Sequence, residues 1–492
     1  MTQTYAPACS FRTLAFVDGE FRQAQSGNVF ATENPATGAV LAEIAFCEAD
    51  DVDQAVTAAR HAFDDGRWSG QSPEQRGSTL TKLVRLLEAH AEELALLDAL
   101  EAGKPIKDCR EIDLPETIKT FRWYAEAADK LFDAVAPTAR EHLGLILREP
   151  IGVVGAVLPW NFPALMFAWK AAPALAAGNT VVIKPAEQTS LSALRIAELA
   201  AEAGIPDGVL NVVPGFGETA GRPLGLHPDV DMVSFTGSTE VGRLFLGYAA
   251  ESNLKRVVLE CGGKSPQIIM GDPPDLDVVA DDVLTAAYWN MGENCSCGSR
   301  LLVHRSVKDE LLERLVRRTP EWRVGDPLDP ETRIGPMIER THQSKVLDYV
   351  EAGRSEGASV LVGGSAALEE SGGYYVAPTI FDNVRANMRV AREEIFGPVV
   401  STIAFDNEDE AIKLANDTNY GLAASVWSTN IDTALRVSRA IKAGTVSVNC
   451  YSEGDISTPF GGYKESGFGG RDNGFEAFDQ YMERKTIWIT TR

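Results

Sequence analysis

Along the first quarter of the chain apolar residues recur every three or four positions, and from residue 151 onward they gather into short unbroken runs. Leu80, Leu83, Val84, Leu87, Ala91, Leu94 and Leu97 keep helical spacing, with Gly103 and Pro105 as the stop, so the pattern predicts a helix over residues 73–104. A second helical stretch covers 115–132. The runs that follow read "IGVVGAVLP", "NTVVIKP", "GVLNVVPG", "VDMVSFTGS" and "KRVVLECGG", with helical segments between them. Five buried strands joined by helices predict a parallel, doubly wound sheet, because right-handed crossovers cover both of its faces.

After Ser265 the alternation restarts: "PQIIM", a helix through Leu284 and Tyr288, "RLLVHRS", a helix through Leu311 and Leu315, then "GPVVSTIAF", "GLAASVWST" and "GTVSVNC". This is a second α/β unit. The Gly-rich "PFGGYKESGFGGRDNG" reads as a loop that approaches something closely. The tail "QYMERKTIWITTR" has strand character at Ile487, Trp488 and Ile489, and an exposed apolar terminal strand needs a partner, most simply another subunit.

Composition narrows the class. At 492 residues with 45% hydrophobic content, the chain exceeds what one core usually holds, about 250–300 residues. A net charge of -24 leaves no basic excess for phosphates, which argues against nucleic-acid and anionic-membrane partners. The amino terminus shows neither a basic segment nor an apolar core of a secretory signal, and the seven cysteines form no framework, so a cytoplasmic enzyme is expected. The uncharged stretch over 151–169, "IGVVGAVLPWNFPALMFAW", has the length of a membrane span, but its two prolines, central Asn and β-branched first half predict a buried strand running into a loop.

The stretch "NMGENCSCGSR" places Cys295 and Cys297 one residue apart. A structural zinc site wants about four ligands in paired spacing, and no second pair is present. A redox pair is normally C-x-x-C, because a C-x-C disulfide closes a strained loop. Two small buried cysteines, or one nucleophile beside a bystander, both remain open on these residues alone.

"GENCSCGSR" resembles the nucleophile segment of the NAD(P)-dependent aldehyde dehydrogenase superfamily, with Cys295 at the reactive position and Cys297 at a bystander one. Six more segments match in order: "PWNFP", "KPAEQT", "FTGSTEVG", "LECGGKSP", "EEIFGPV" and "PFGGYKESG". The resemblance covers nearly the whole chain. It implies an aldehyde dehydrogenase-like α/β fold: two doubly wound parallel-sheet domains plus a small oligomerisation β-extension. The cofactor domain would take 1–135 and 155–265, the catalytic domain 266–470, and the arm and terminal strand 136–154 and 471–492. A homodimer or homotetramer is implied.

The chemistry such an enzyme needs suits these residues. Aldehyde oxidation requires a tetrahedral adduct, so Cys295 would attack as a thiolate, and a modest lowering from the ordinary thiol value would make it abundant at neutral pH. Asn161 and the Cys295 N–H would hold the oxyanion. Glu260, at an apolar strand end, would activate water against the thioester, its pKa raised by burial. This base separates hydrolytic members from acylating ones that use a thiol instead of water. Lys170 would join the hydrogen-bond network.

For the cofactor, "GSTEVG" opens a helix after a strand and can meet pyrophosphate, though neither it nor "GFGETAG" is the usual dinucleotide fingerprint. The implied contacts are Pro159, Trp160, Lys184, Glu187, Gly217, Phe235, Gly237, Ser238, Gly242, Glu394 and Phe396. A carboxylate at Glu187 accepts ribose hydroxyls and repels a 2′-phosphate, so NAD is expected over NADP. No metal is called for.

Within the superfamily, "DLPETIKTFRWYAEAADK", "NCYSEGDISTPFGGYK" and "KTIWI" are most similar to γ-glutamyl-γ-aminobutyraldehyde and ω-aminoaldehyde dehydrogenases of polyamine catabolism. An amino-bearing aldehyde wants carboxylates and aromatics around it, and Asp113, Glu453, Asp455, Phe162 and Trp169 are the candidates. Against this stand a broad aliphatic or semialdehyde dehydrogenase and a non-catalytic binding protein on the same fold. Two departures from the family pattern are an extra Gly in "SGFGGRDNG" near Asp472 and Cys261 in place of a usual Leu or Ala. Cys297 is also expected to trap an oxidised Cys295.

Overall fold

In the computed structural model, which describes residues 11–490, both apolar alternations become parallel sheets. The first has eight strands. Its parallel centre runs, in spatial order, Arg256–Glu260, Met232–Thr236, Val153–Val157, Thr180–Lys184 and Leu210–Val212. These are the five predicted runs. Strands Val153–Val157 and Thr180–Lys184 are buried at every position, as expected where helices cover both faces. Antiparallel Ala15–Val17 and Glu20–Arg22 extend one edge, and Gly467–Phe468 closes the other.

The chain builds this sheet outward from Val153–Val157 in one direction, then returns to add Met232–Thr236 on its other side. The switch point lies between those two strands. A crevice opens there beyond the carboxyl ends, where open α/β sheets take their ligands.

The second sheet has seven strands, with Pro266–Ile269, Arg300–His304, Val399–Phe405, Ala423–Trp427, Thr445–Val448 and Thr379–Asp382 parallel and Ser359–Val362 antiparallel at one edge. A third, three-stranded sheet pairs Met482–Thr490 with His142–Pro150, and that strand with Ala134–Ala136. The apolar tail therefore finds its first partner within its own chain. Its outer edge is unpaired among the described residues, and Trp488 is still 57% exposed.

Two predicted helices differ in detail. The stretch over 73–104 is two helices, Pro73–Ala89 and Ala91–Ala102, broken at His90. The i, i+3, i+4 spacing carries across one non-helical residue, so periodicity does not see the break. A Ser72–Gln75 capping box starts the first helix. The stretch over 115–132 begins one residue early as Leu114–Ala127 and ends in a 3₁₀ turn at Ala128–Lys130. The uncharged run over 151–169 is a strand, a loop and the start of helix Pro163–Ala177. No helix among the described residues is long and apolar enough to cross a membrane.

Candidate active site

A cavity of about 230 Å³ occupies the switch-point crevice. Pro159, Trp160, Asn161 and Phe162 enter it from the loop after Val153–Val157, and Thr236 ends strand Met232–Thr236 with Gly237 and Ser238 directly after it. Glu260 stands at the end of the next strand over. Asn294, Cys295, Glu394, Phe396 and Glu453 come from the second α/β unit and close the opposite wall. Residues far apart in the chain thus meet because two sheets present their loops to one crevice.

The loop that carries Cys295 is fixed on both sides. Gln267 Nε2 donates to Gly298 O at 2.6 Å, and the Gly298 N–H donates to Ala286 O. Arg300 donates to Leu414 O and Ala415 O at 3.0 and 2.8 Å, tying the loop to the end of helix Glu408–Asn416. Cys295 is part-exposed on the cavity wall. Cys297 is buried, and its thiol faces Ala287 O at 3.5 Å instead of the cavity. Trapping an oxidised Cys295 would require that side chain to turn.

The thiol does not behave as expected. Burial first, then the carboxylates of Glu453, Glu394 and Glu260, push Cys295 well above the ordinary thiol value. The expected lowering is corrected: this wall is acidic, and an anion beside three carboxylates is disfavoured.

Glu260 is 3% exposed, and among the described residues neither of its oxygens has a hydrogen bond of ordinary geometry; the Gly462 amide approaches without closing one. Burial, then the charge of Asp472, raises its pKa well above the usual carboxylate value. Asn161 donates one amide N–H to Glu293 O at 2.9 Å, which leaves its second N–H for the cavity. Lys170 does not line the cavity; it is fully buried and pairs with Asp472 at 2.6 Å, which does. The extra glycine is absorbed beside that pair. Gly469 adopts φ 84°, and a Cβ on Gly470 would meet Gln480 Oε1 at 2.3 Å, while Asp472 keeps its bond to Lys170.

On the side expected to take the cofactor, Ser238 caps helix Thr239–Glu251 by accepting from Val241 N, leaving the Thr239 and Glu240 amides at the start of a 13-residue helix without an intrahelical partner at the crevice. Glu394 Oε1 accepts from Gly263 N at 2.9 Å, and burial pushes its carboxyl up to about 7. A Cβ on Gly262 would lie 2.1 Å from Glu394 Oε2, so glycine is needed for that approach. Phe396 holds a left-handed backbone, φ 60°, and stands edge-on to Trp160 at 5.3 Å. Lys184 and Glu187 pair with each other at 2.9 Å. Gly217 is an exposed residue opening the turn Gly217–Gly221, Phe235 packs on Phe245 beneath Gly237, and Gly242 packs against Cys261. None of these five lines the cavity itself.

Among the substrate candidates, Phe162, Trp169 and Glu453 line the cavity. Glu453 Oε1 accepts from Asn294 Nδ2 at 2.7 Å, from Ser296 Oγ and from Tyr451 Oη at 3.3 Å. Asp113 and Asp455 are not there. Asp113 is turned inward by the π-helical turn Cys109–Asp113, is 1% exposed, and pairs with Lys104 at 2.8 Å. Asp455 lies on the surface, paired with Lys119 at 2.6 Å.

Several cavity residues escaped the sequence reading. His342 and Lys345 reach it from helix Arg340–Ser355, where their i, i+3 spacing puts them on one face. Burial lowers His342 to about 4, so the neutral ring donates from Nε2 to Phe396 O at 2.6 Å. Phe460 packs against Trp169 at 5.0 Å.

The aldehyde dehydrogenase family model matches residues 21–487, and the chain belongs to that family. It is 59% identical over 475 residues to an aminoacetaldehyde dehydrogenase of Pseudomonas aeruginosa, covering 96% of this chain and 95% of the relative. The crystal structure of a γ-glutamyl-γ-aminobutyraldehyde dehydrogenase from Burkholderia cenocepacia superposes with a TM-score of 0.97 at 51% identity, over 99% of this chain and 98% of that one. An indole-3-acetaldehyde dehydrogenase of P. syringae in complex with NAD+ matches equally, with a TM-score of 0.97 at 50% identity over 98% and 97% of the two chains. The protein is thus an aldehyde dehydrogenase.

Proposed function

We propose that the protein oxidises an amino-bearing aldehyde to its carboxylic acid, with Cys295 as nucleophile and Glu260 as base. The observation that supports this best is one cavity holding Cys295, the free amide N–H of Asn161 and a buried Glu260 that has no hydrogen-bond partner of ordinary geometry among the described residues. The residues also fit a nicotinamide dinucleotide. The amino end of helix Thr239–Glu251 suits a pyrophosphate, and Glu187 and Glu394 suit ribose hydroxyls. NAD, when bound, supplies the hydride acceptor.

In the resting site the Cys295 thiol keeps its proton, which leaves to solvent at the cavity as the sulfur is readied for attack. The sulfur then bonds to the aldehyde carbon, and the second Asn161 N–H with the Cys295 N–H holds the oxyanion. Loss of hydride from that carbon restores the carbonyl as a thioester. Glu260 next takes a proton from water as its oxygen adds to the thioester, and the C–S bond breaks to release the acid and the thiolate. Lys170 and Asp472 set the charge around Glu260: the lysine opposes and the aspartate supports its proton. A carboxylate at Glu187 disfavours a 2′-phosphate, by up to about 4 kcal/mol for a contact at 4 Å and an effective dielectric of 20, so NAD is preferred.

The substrate's cation is assigned to Glu453. Three donors hold its Oε1, and its Oε2 carries no hydrogen bond from the described residues. The two neighbours of Cys295 in the chain, Asn294 and Ser296, supply two of those donors, which keeps the free oxygen beside the reacting centre. The unpaired outer edge of Met482–Thr490, with exposed Trp488, supports assembly as a homodimer or homotetramer. The expected division is retained: 1–135 with 155–265 for the cofactor, 266–470 for catalysis, 136–154 with 471–492 for assembly.

The test is NADH formation across aminoacetaldehyde, 4-aminobutanal, γ-glutamylaminobutanal, betaine aldehyde, succinate semialdehyde and simple aliphatic aldehydes. Amino-bearing aldehydes should give the highest kcat/KM. A preference for the carboxylated semialdehyde would sink the role of Glu453.

A further inference from the structure

We propose that Lys104, with Asp113 as its counter-ion, is the positioning residue that aims the Asn161 amide at the reacting carbonyl; this rests on the oxyanion reading of Asn161 given above. Lys104 is 1% exposed, and its ammonium makes three contacts, two of them to the Asn161 loop. It donates to Asn161 O at 2.9 Å, lies 3.6 Å from the centroid of the Phe162 ring, and pairs with Asp113 Oδ2 at 2.8 Å. Two residues that face the cavity are therefore held from behind by one buried cation.

The loop needs such a grip. Asn161 lies between strand Val153–Val157 and helix Pro163–Ala177, outside the hydrogen-bond ladder of either. Asn290 supplies a second hold from the nucleophile side. Its Nδ2 donates to Asn161 O at 3.2 Å and to Glu293 O at 2.8 Å, and that second carbonyl also accepts the Asn161 side chain. The Asn161 carbonyl is thus fixed from two directions, and one of its own amide hydrogens is committed. The other is left pointing where the carboxamide plane sends it.

A charged donor makes a shorter and stronger bond to a carbonyl than a neutral one, which suits a loop that must not drift. A buried ammonium also requires an anion, and this explains why the π-helical turn folds Asp113 inward instead of to the cavity mouth. Misplacing a donor by about 1 Å can cost about a hundredfold in rate, so a residue that never touches substrate can still govern turnover.

The test is a double-mutant cycle with Asn161→Ala, read as kcat, as NAD affinity by fluorescence titration, and as thermal melting. Replacing the pair together, Lys104→Met with Asp113→Asn, avoids leaving a lone buried charge. It should lower kcat roughly ten- to hundredfold, leave the NAD dissociation constant within about twofold, and keep a cooperative melt. In the Asn161→Ala background the same replacement should lower kcat by less than about twofold more, because the donor it aims is gone. Should the paired variant not fold, Lys104→Gln carries the same cycle. Full additivity of the two losses, or NAD affinity falling in step with kcat, would overturn the proposal while leaving Asn161 in its role. An unimpaired Asn161→Ala enzyme would instead overturn the oxyanion reading itself.

Discussion

Two carboxylates flank Cys295, and their surroundings are opposite. Glu260 ends a strand of the first sheet, buried, with both oxygens unpartnered; Glu453 follows the last strand of the second sheet, part-exposed, with one oxygen held by three donors. Burial drives the first toward its protonated form, which suits a group that must gain and lose a proton during the cycle. The second is fixed in place, which suits the recognition role proposed for it. In the proposed function it is the number of partners, more than the residue type, that divides the work between two glutamates.

The largest effect available tests the sulfur between them. Cys295→Ala should lower turnover at least a thousandfold while retaining NAD binding, and Cys297→Ser should remain near wild type, because its thiol faces Ala287 O. The reverse pattern would move the nucleophile and dissolve the comparison.

Glu260→Gln comes next, with steady-state kcat down about a hundred- to ten-thousandfold and a residual burst of NADH near one per active site. Loss of the burst together with turnover would show that Glu260 is needed before the thioester, as the base for the thiol. The pH profile sharpens the same point. The base form of Glu260 disappears as pH falls through its raised value, so the acid limb of kcat should lie above the ordinary carboxylate range. An acid limb at the ordinary value would contradict the desolvated state of that carboxyl.

Glu453→Gln should be milder and selective. One charged hydrogen bond is worth about 1.5–3 kcal/mol, so kcat/KM for amino-bearing aldehydes should fall roughly ten- to hundredfold, with neutral aldehydes unchanged. Equal losses on both would return Glu453 to a merely structural part in the Asn294–Ser296 loop. The smallest expected effect is at Glu187→Gln, where NADP should gain on NAD about tenfold, measured as the ratio of the two kcat/KM values.

Much of this was legible in advance. The five apolar runs became the five parallel strands, and "PWNFP", "LECGG" and "NCSCG" each deliver a cavity residue, because strand ends and loop motifs are set by short stretches of chain. The acidic candidates were read less well. Asp113, Glu453 and Asp455 look alike as letters, yet the structure buries one against Lys104, clamps one beside Cys295 and leaves one on the surface with Lys119. Nothing local distinguishes them. The same holds for the direction of the Cys295 shift, which depends first on burial and then on three glutamates distant in sequence.

By itself, then, the sequence determined the α/β layers and the family, and it singled out Cys295 and Glu260 as the proposed nucleophile and base, since periodicity and motif spacing act within a few residues. Only the tertiary structure decided which of the three acids lines the cavity, that Lys104 stands behind Asn161, and that Lys170 reaches Asp472 instead of the cavity. Those pairs join segments far apart in the chain, and the burial that encloses them exists only once the two sheets have closed on one crevice.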